Sequence, residues 1–477
     1  MRTKSGILLL IITLMMLLPA FAAHAQEVTT SGDYQYTLDD GGKAAIVRYT
    51  GAETGTLLIP DQLDGHIVAA IGQAAFMGNK FTSVVIPAGL ISITPGVFCN
   101  CTGLVSIDVA AGNPVYEQAD GVLFDKTQKA LHTYPIARAA TDYQIPDGTL
   151  MIGSGAFFGC EKLVSVALPG TLTAIGENAF YGCTNLLALS IPNGVISISN
   201  GAFSLCGALN SIAIPGSVKT IGTGVFDGCL NLASITVAAD NPIFEVAGGV
   251  LFDKQQKLLH TYPQTLLDTT YQVPDGTLQI GSLAFASCSK LISVIIPDSV
   301  TSIGESAFLG CTKLESAVLP KGLTKLSASV FAACEKLKEI QVPDFVTSIG
   351  PQAFSNCTDL KQANIPYGVT EVGPYAFSCC GNLREMTIPA TVLSIGDGAF
   401  MACDFMANVL IQPGVQTIGA YAFSECSYMT SASIPQSITL IGENAFSGCA
   451  KLVASVAENS FAHDYFLQNK LEFTLSK

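Results

Sequence analysis

The sequence predicts a β-rich solenoid, a right-handed stack of coils of about 23 residues joined by a parallel sheet. The first observation behind this prediction is a motif, Ile-Gly-x-x-Ala-Phe-x-x-Cys, whose phenylalanine recurs every 23 residues from Phe285 to Phe446. The second is a short apolar segment that ends at a proline in most copies, as in Val166 to Pro169. A unit this short cannot bury its own apolar face, so it needs a neighbour on each side. The repeated phenylalanines are Phe76, Phe98, Phe157, Phe180, Phe203, Phe226, Phe285, Phe308, Phe331, Phe354, Phe377, Phe400, Phe423 and Phe446.

Residues 1–25 have the features of a secretory signal peptide. Arg2 and Lys4 precede the apolar run Ile7 to Leu18, and Ala23-His24-Ala25 supplies small residues around a cleavage site. The run is too short for a permanent membrane helix, and no second run of about 20 apolar residues follows. We therefore predict a secreted or cell-surface-associated protein, cleaved near Ala25, whose mature chain has no transmembrane anchor.

Residues 26–70 are predicted to cap the N-terminal end of the solenoid. A strand from Tyr34 to Leu38, a turn at Asp39 to Gly42 and a returning strand at Ala45 to Val47 make a β-hairpin. Without a cap, the first coil would expose its apolar face and its strand edge, which favours aggregation.

Residues 71–455 are predicted to form the solenoid itself. The apolar segment before each proline is a short strand, because proline cannot donate to a strand ladder and is tolerated at a strand end. The glycine after the recurrent isoleucine, such as Gly176, predicts either a positive φ or a close approach of two backbones.

Two 36-residue insertions, near residues 110–145 and 238–273, interrupt the period. They are copies of each other, 128 residues apart, as Asn113 to Tyr116 and Asn241 to Phe244 show. Each contains two apolar runs around a polar turn, which predicts a hairpin projecting from the solenoid.

Residues 456–477 are predicted to be a C-terminal cap with one short helix. Phe461, Tyr465 and Leu467 recur at helical spacing, and Ser460 is placed to cap the helix N-terminus.

The order Phe-x-x-Cys-x-x-Leu-x-x-Val-x-Leu, seen from Phe157 to Leu168, resembles a leucine-rich repeat. The full unit is similar to the bacterial surface-antigen type called BspA-like, over roughly Gly32 to the C-terminus. The sequence departs from the general leucine-rich pattern where that pattern has an asparagine ladder, since residues such as Thr171 and Ser217 stand there. The resemblance implies a leucine-rich-repeat solenoid that acts in adhesion or protein recognition at a bacterial surface.

Thirteen of the 15 cysteines occupy one repeat position, from Cys101 to Cys449. We predict a buried column of thiols that pack as small hydrophobic groups, with disulfides between adjacent coils as the alternative. Cys99 and Cys379 lie off this column and are expected at the surface.

The remaining chemistry-bearing residues do not cluster. His66, His132, His260 and His463 are separated by repeats, so they predict neither a metal site nor a catalytic site, and no cofactor motif is present. The net charge of -14 disfavours nucleic acid as a partner. We therefore predict a protein that is not an enzyme.

Three consecutive coils carry long polar side chains beside their strands, and their exposed face is predicted to be concave. We call these nine residues the polar patch, a candidate recognition surface, although a solvated face with mutual charge pairing is the simpler alternative. They are Lys338, Glu339, Gln341, Lys361, Gln362, Asn364, Arg384, Glu385 and Thr387.

The sequence thus favours a non-enzymatic binding protein for a protein or glycan ligand at a cell surface or in host matrix. The alternatives are a carbohydrate-active solenoid enzyme, which would need a pair of carboxylates on one face, and a passive structural component of the envelope.

Overall fold

The computed structural model describes residues 27–476, so the predicted signal peptide lies outside the described residues. The chain winds into a solenoid whose coils contribute strands to two parallel rows. The long row carries the strands that precede the recurrent prolines. Its strands are β4 (Thr54–Leu58), β7 (Lys80–Ile86), β9 (Ser106–Val109), β13 (Asp142–Gln144), β15 (Ser165–Ala167), β17 (Ala188–Ser190), β19 (Ser211–Ile214), β21 (Ser234–Val237), β25 (Thr270–Gln272), β27 (Ser293–Ile295), β29 (Ser316–Val318), β31 (Glu339–Ile340), β33 (Gln362–Ala363), β35 (Glu385–Ile388), β37 (Asn408–Ile411), β39 (Ser431–Ile434), β41 (Val453–Ala457) and β42 (Phe473–Ser476).

The short row consists of two-residue strands, most of which end at the residue before the recurrent glycine. These are β8 (Ser92–Ile93), β14 (Met151–Ile152), β16 (Ala174–Ile175), β18 (Ser197–Ile198), β20 (Thr220–Ile221), β26 (Gln279–Ile280), β28 (Ser302–Ile303), β30 (Lys325–Leu326), β32 (Ser348–Ile349), β34 (Glu371–Val372), β36 (Ser394–Ile395), β38 (Thr417–Ile418) and β40 (Leu440–Ile441). Partners such as Ile175 and Ile198 are one period apart, so the sequence period sets the register.

The phenylalanines form a column between the rows in each of the three runs of coils that the insertions separate. Within a run of coils, successive rings are nearly parallel, with centroids 4.8 Å apart for Phe285 and Phe308 and 6.0 Å for Phe203 and Phe226. Burying each ring contributes on the order of 2 to 3 kcal/mol, which explains why this position is the least variable in the repeat.

The thirteen cysteines of the predicted column are all buried, with free thiols. Most thiols donate a hydrogen bond to the carbonyl oxygen of the phenylalanine in the preceding coil, at 3.1 Å from Cys357 Sγ to Phe331 and 3.2 Å from Cys380 Sγ to Phe354. The prediction of a buried thiol column is confirmed. At the position of the asparagine ladder, hydroxyl groups donate to the preceding coil instead: Thr171 Oγ1 to the Thr149 carbonyl oxygen at 2.8 Å and Ser217 Oγ to that of Val195 at 2.7 Å.

The recurrent glycine is required by close approach of the coils. A Cβ at Gly304 would lie 2.3 Å from the backbone nitrogen of Ser282, and one at Gly442 would lie 2.3 Å from that of Ala420. Neither glycine has a positive φ. The glycine is therefore explained by the close approach of two backbones and not by a positive φ.

The N-terminal cap is the predicted hairpin with additional strands. Tyr34–Leu38 pairs antiparallel with Ala44–Tyr49, which continues into the short row through Ala45 and Ala70. The hairpin covers the end of the short row, while β4 forms the end of the long row. The cap strands are β1 (Thr29–Ser31), β2 (Tyr34–Leu38), β3 (Ala44–Tyr49), β5 (Gln62–Leu63) and β6 (His66–Ile71).

The C-terminal cap contains helix α1 (Phe461–Gln468), and the Ser460 side chain accepts a hydrogen bond from the His463 amide, as predicted. The buried residues of the helix are not the ones that recur at helical spacing in the sequence. Ala462 and Phe466 are buried, one helical turn apart, whereas Phe461 and Leu467 are exposed. Phe466 packs against Phe446 and so closes the phenylalanine column.

Each insertion is embedded in the stack, which corrects the predicted projecting hairpin. All four residues of Val122–Asp125 are buried, because this strand lies between the preceding and following coils. The third strand of each insertion joins the short row, so Leu131 pairs with Ile152. The strands are β10 (Tyr116–Ala119), β11 (Val122–Asp125) and β12 (Ala130–Thr133), then β22 (Phe244–Ala247), β23 (Val250–Asp253) and β24 (Leu258–Thr261).

Candidate binding surface

The nine residues of the polar patch lie on or beside β31, β33 and β35 of the long row. Eight of them are exposed to solvent, and the ninth, Asn364, is half-buried. Glu339 pairs with Gln362 across the first two coils, as the period predicts. The third coil is less closely joined, because β33 and β35 belong to different hydrogen-bonded sheets.

Asn364 holds two coils together. Its Oδ1 accepts a hydrogen bond from the Val342 amide at 2.7 Å, and its Nδ2 donates to the Val342 carbonyl oxygen at 2.9 Å. The side chain thus replaces a pair of backbone bonds where the ladder between these strands ends. This positioning role leaves Asn364 little capacity to bind a ligand.

The patch cations differ in how they are held. Lys338 forms an ion pair with Glu315 of the preceding coil, 2.5 Å from Nζ to Oε2, and does not pair with its neighbour Glu339. Arg384 lies over the Phe405 ring at 5.6 Å. Lys361 takes part in none of the four ion pairs found in residues 27–476.

Phe405 and Tyr428 are exposed aromatic residues beside the long row, but their faces are occupied. The two rings stack at 5.0 Å, Arg384 lies over Phe405, and the Lys451 ammonium lies 4.0 Å from the Tyr428 centroid. Cations against ring faces stabilise such a stack. A flat ligand such as a sugar ring would have to displace them, so this aromatic pair is a poor stacking platform.

A groove of about 660 Å³ extends from the patch across the last coils of the long row. Its lining combines Glu385, Thr387 and Asn364 of the patch with residues that sequence analysis missed or regarded as featureless. These are Tyr367, Asn408, Leu410, Ser431, Ser433, Val453 and Ser455. Tyr367 is 69% exposed and Leu410 is 46% exposed, so apolar surface is available beside hydrogen-bonding groups. The sequence signal that could have identified Tyr367 is its position directly after the proline that ends the strand.

The geometry of the polar patch suits recognition of a ligand. The patch residues are exposed and lie on a packed sheet, so they can bind with small ordering cost. In residues 27–476 no group of three histidine, cysteine or acidic side chains is close enough to hold a metal ion. Burial raises the pKa of Cys101 to about 11 and that of Cys99 to about 12, which keeps both thiols protonated and unreactive.

The histidines of the insertions are structural. The rings of both histidines pack inside the solenoid, and each Nε2 donates to a carbonyl oxygen of the coil before the insertion. The acceptor is Ile93 for His132, at 3.0 Å, and Ile221 for His260, at 3.2 Å. Burial lowers the pKa of both imidazoles, so they are neutral at pH 7.

The stacked 23-residue coils, the buried repeat positions and the open strand face define a repeat solenoid of the leucine-rich class. The sequence profile of the BspA type leucine rich repeat region matches in six copies, over residues 69–124, 137–253, 269–376 and 325–453. Since these matches cover well over half of the sequence, the chain belongs to the BspA-type leucine-rich-repeat family. No curated protein matches it.

Several solved structures of bacterial proteins are similar to this chain. A leucine rich cell surface protein of Faecalibacterium prausnitzii is 30% identical, over 76% of this chain and 95% of its own, with a TM-score of 0.49. The pneumococcal vaccine antigen PcpA is 18% identical, over 95% and 100%, with a TM-score of 0.46. A leucine-rich repeat protein of Eubacterium ventriosum is 22% identical, over 92% and 97%, with a TM-score of 0.45. Within residues 27–476, no helix is both long and apolar enough to cross a bilayer.

Proposed function

We propose that this protein is a secreted or surface-associated, non-enzymatic adhesin that binds a protein ligand in host matrix or on a cell surface. The observation that carries the proposal is the groove, where exposed hydrogen-bonding groups and exposed apolar groups share one rigid sheet. Aromatic and aliphatic anchors surrounded by polar groups are typical of protein interfaces. Membership of a family with cell surface relatives is consistent with this location.

The test begins with mature protein applied to arrays of matrix proteins, bacterial surface components and glycans. For any ligand found, Tyr367→Ala should weaken binding at least tenfold, because Tyr367 is the most exposed aromatic side chain of the groove. Tyr375→Ala is the matched control, since Tyr375 is an exposed tyrosine in the same coil but does not line the groove. Equal effects of the two substitutions, or no ligand on any array, would contradict the proposal.

Two further measurements separate the alternatives. Release of reducing ends from a polysaccharide panel would indicate a carbohydrate-active enzyme. If Lys338, Lys361 and Arg384 all become alanine and the affinity for the ligand found on the array is unchanged, the polar patch is only a solvated face. If no array ligand is found and no polysaccharide is cleaved, the remaining alternative is a passive envelope component.

A further inference from the structure

A second cleft, of about 450 Å³, lies far from the groove in sequence, beside the first insertion. Its walls are the hairpin turn at Asp120 and Gly121 and the strand β9 of the preceding coil, which meet where the Ile107 amide donates to the Gly121 carbonyl oxygen at 2.9 Å. The side chains that give it polar character are Ser106, Asp108, Gln118, Asp120 and Arg138.

Arg138 fixes one wall of this cleft. Its Nη2 donates to Asp120 Oδ2 at 2.6 Å, its Nη1 donates to the Asp120 carbonyl oxygen, and the guanidinium lies 5.5 Å from the Tyr134 ring. The Arg138 side chain is only 17% exposed, whereas that of Asp120 is 83% exposed. The arginine is therefore held in place and its charge is balanced, while one carboxylate oxygen of Asp120 still faces solvent.

The opposite wall carries a carboxylate with no protein partner. Asp108 is exposed on β9, and it belongs to none of the four ion pairs in residues 27–476. Gln118 is oriented by the Gly121 amide, which donates to its Oε1 at 2.8 Å, so its NH2 group is left for a ligand acceptor. With two carboxylates and one guanidinium, the cleft has a net negative charge.

The second insertion shows that the fold does not need these groups. At the positions 128 residues later, Thr236, Val246, Gly248 and Leu266 replace Asp108, Gln118, Asp120 and Arg138. The hairpin register is nevertheless the same, with Leu123 opposite Thr133 and Leu251 opposite Thr261. The first insertion thus carries a polar constellation that its copy folds without.

We propose that the first-insertion cleft binds a lysine side chain of a protein ligand. An ammonium group is a compact cation with three donors, and Asp108 and the free oxygen of Asp120 are acceptors on the two sides of the cleft. The net charge of -14 draws a basic partner towards the protein over a distance longer than any contact. This site is additional to the groove and does not depend on it.

The probe is a fluorescent tetralysine peptide, with the norleucine peptide as its uncharged counterpart, in about 150 mM salt to suppress distant charge effects. Asp108→Asn should lower the affinity for tetralysine about three- to tenfold. Asp268→Asn is the matched control, because it removes the same charge beside the second insertion, and it should change the affinity less than twofold. Equal losses of affinity in the two variants would overturn the proposal, because general charge attraction would then explain the binding of the peptide.

Zero-length coupling of the bound peptide to carboxylates, mapped by mass spectrometry, locates the contact. The expected adducts are on Asp108 and Asp120, and adducts spread evenly over the acidic residues would contradict the site. The graft T236D/V246Q/G248D/L266R should create new adducts on the second insertion. Thermal unfolding of every variant checks that the fold is retained, and a folded graft that gains no adducts would also count against the proposal.

Discussion

The first and second insertions make the same buried contacts but expose different surfaces. In both, an asparagine holds the preceding coil: Asn113 Nδ2 donates to the Pro87 and Leu90 carbonyls, and Asn241 Nδ2 donates to those of Pro215 and Val218. Exposed positions have diverged, and the second insertion lacks the charged side chains that line the cleft of the first. The comparison separates residues required by the fold from residues that are free to acquire a function.

The largest expected effect concerns the shared asparagines. Asn113→Ala and Asn241→Ala each remove four hydrogen bonds and leave buried backbone groups without partners, since the side chain also accepts two amide bonds. We expect each to lower the free energy of unfolding by roughly 3 to 5 kcal/mol, measured by urea denaturation. A large effect in only one copy would break the comparison.

The next effect is a pH dependence from His132 and His260. Because burial lowers the pKa of each folded imidazole below its unfolded value, the unfolded chain binds more protons. The stabilisation is therefore present above about pH 6.5 and is lost as the pH falls through the folded pKa. The groups that face the imidazoles are Tyr116 and the Asp125 carboxylate for His132, and the Asp253 carboxylate for His260.

Replacing both histidines by glutamine should flatten the decline in unfolding free energy between pH 7 and pH 5. The two junctions should differ, because Asp227 lies at the second one, where the first has Cys99. Burial raises the pKa of Asp227, so its protonation stabilises the folded state as the pH falls. This gain partly offsets the stability that is lost when His260 becomes protonated. Because burial shifts the pKa of both histidines in the same direction, His132→Gln and His260→Gln should change the pH slope by similar amounts, whereas Asp227→Asn, which has no counterpart at the first junction, should steepen the wild-type slope. An unchanged slope in the double glutamine variant would contradict the assignment.

A smaller effect is expected at Tyr134 and Tyr262, which extend the phenylalanine column of the coils that follow each insertion. Their rings lie 5.1 Å from Phe157 and 4.9 Å from Phe285, but their buried hydroxyls have no hydrogen-bond partner. In thermal unfolding, Tyr134→Phe and Tyr262→Phe should leave the free energy of unfolding unchanged or raise it by up to about 1 kcal/mol. A decrease in the free energy of unfolding of either variant would show that the hydroxyl makes a stabilising hydrogen bond.

The smallest expected effect is at the hairpin turns, where Lys129 and Lys257 have φ values of 52° and 50°. A glycine adopts this left-handed conformation without steric strain, although it also increases the entropy of the unfolded chain. Lys129→Gly and Lys257→Gly should each stabilise by about 0.5 kcal/mol, equally in the two copies, as measured by chemical denaturation. Opposite signs would show that the turns are not equivalent.

Much of the fold follows from the sequence period, since a constant spacing sets register, column and stacking partner together. The fate of side chains that break the period does not follow from it. Asn364 looks like a ligand-binding residue in the sequence, yet it satisfies the Val342 backbone because the ladder ends there. Likewise, the helix buries Phe466 because the last coil presents Phe446, which helical spacing alone does not specify.

The candidate site was predictable only in part. Long polar side chains identified three coils. The groove, however, also depends on small residues such as Ser431 and Ser433, because their short side chains leave room for a ligand. The embedded insertions were missed because an apolar run such as Val122 to Phe124 has the same pattern in a projecting hairpin and in a fully buried strand.

The thiol column gives the molecule an internal reporter of its own integrity. Nearly every coil contains one cysteine that is shielded when the coil is closed, and burial raises the pKa of thiols such as Cys183 and Cys380. An alkylating reagent can therefore label a coil only after that coil has opened. Labelling followed by peptide mapping would record, position by position along the rod, where the protein frays and in what order.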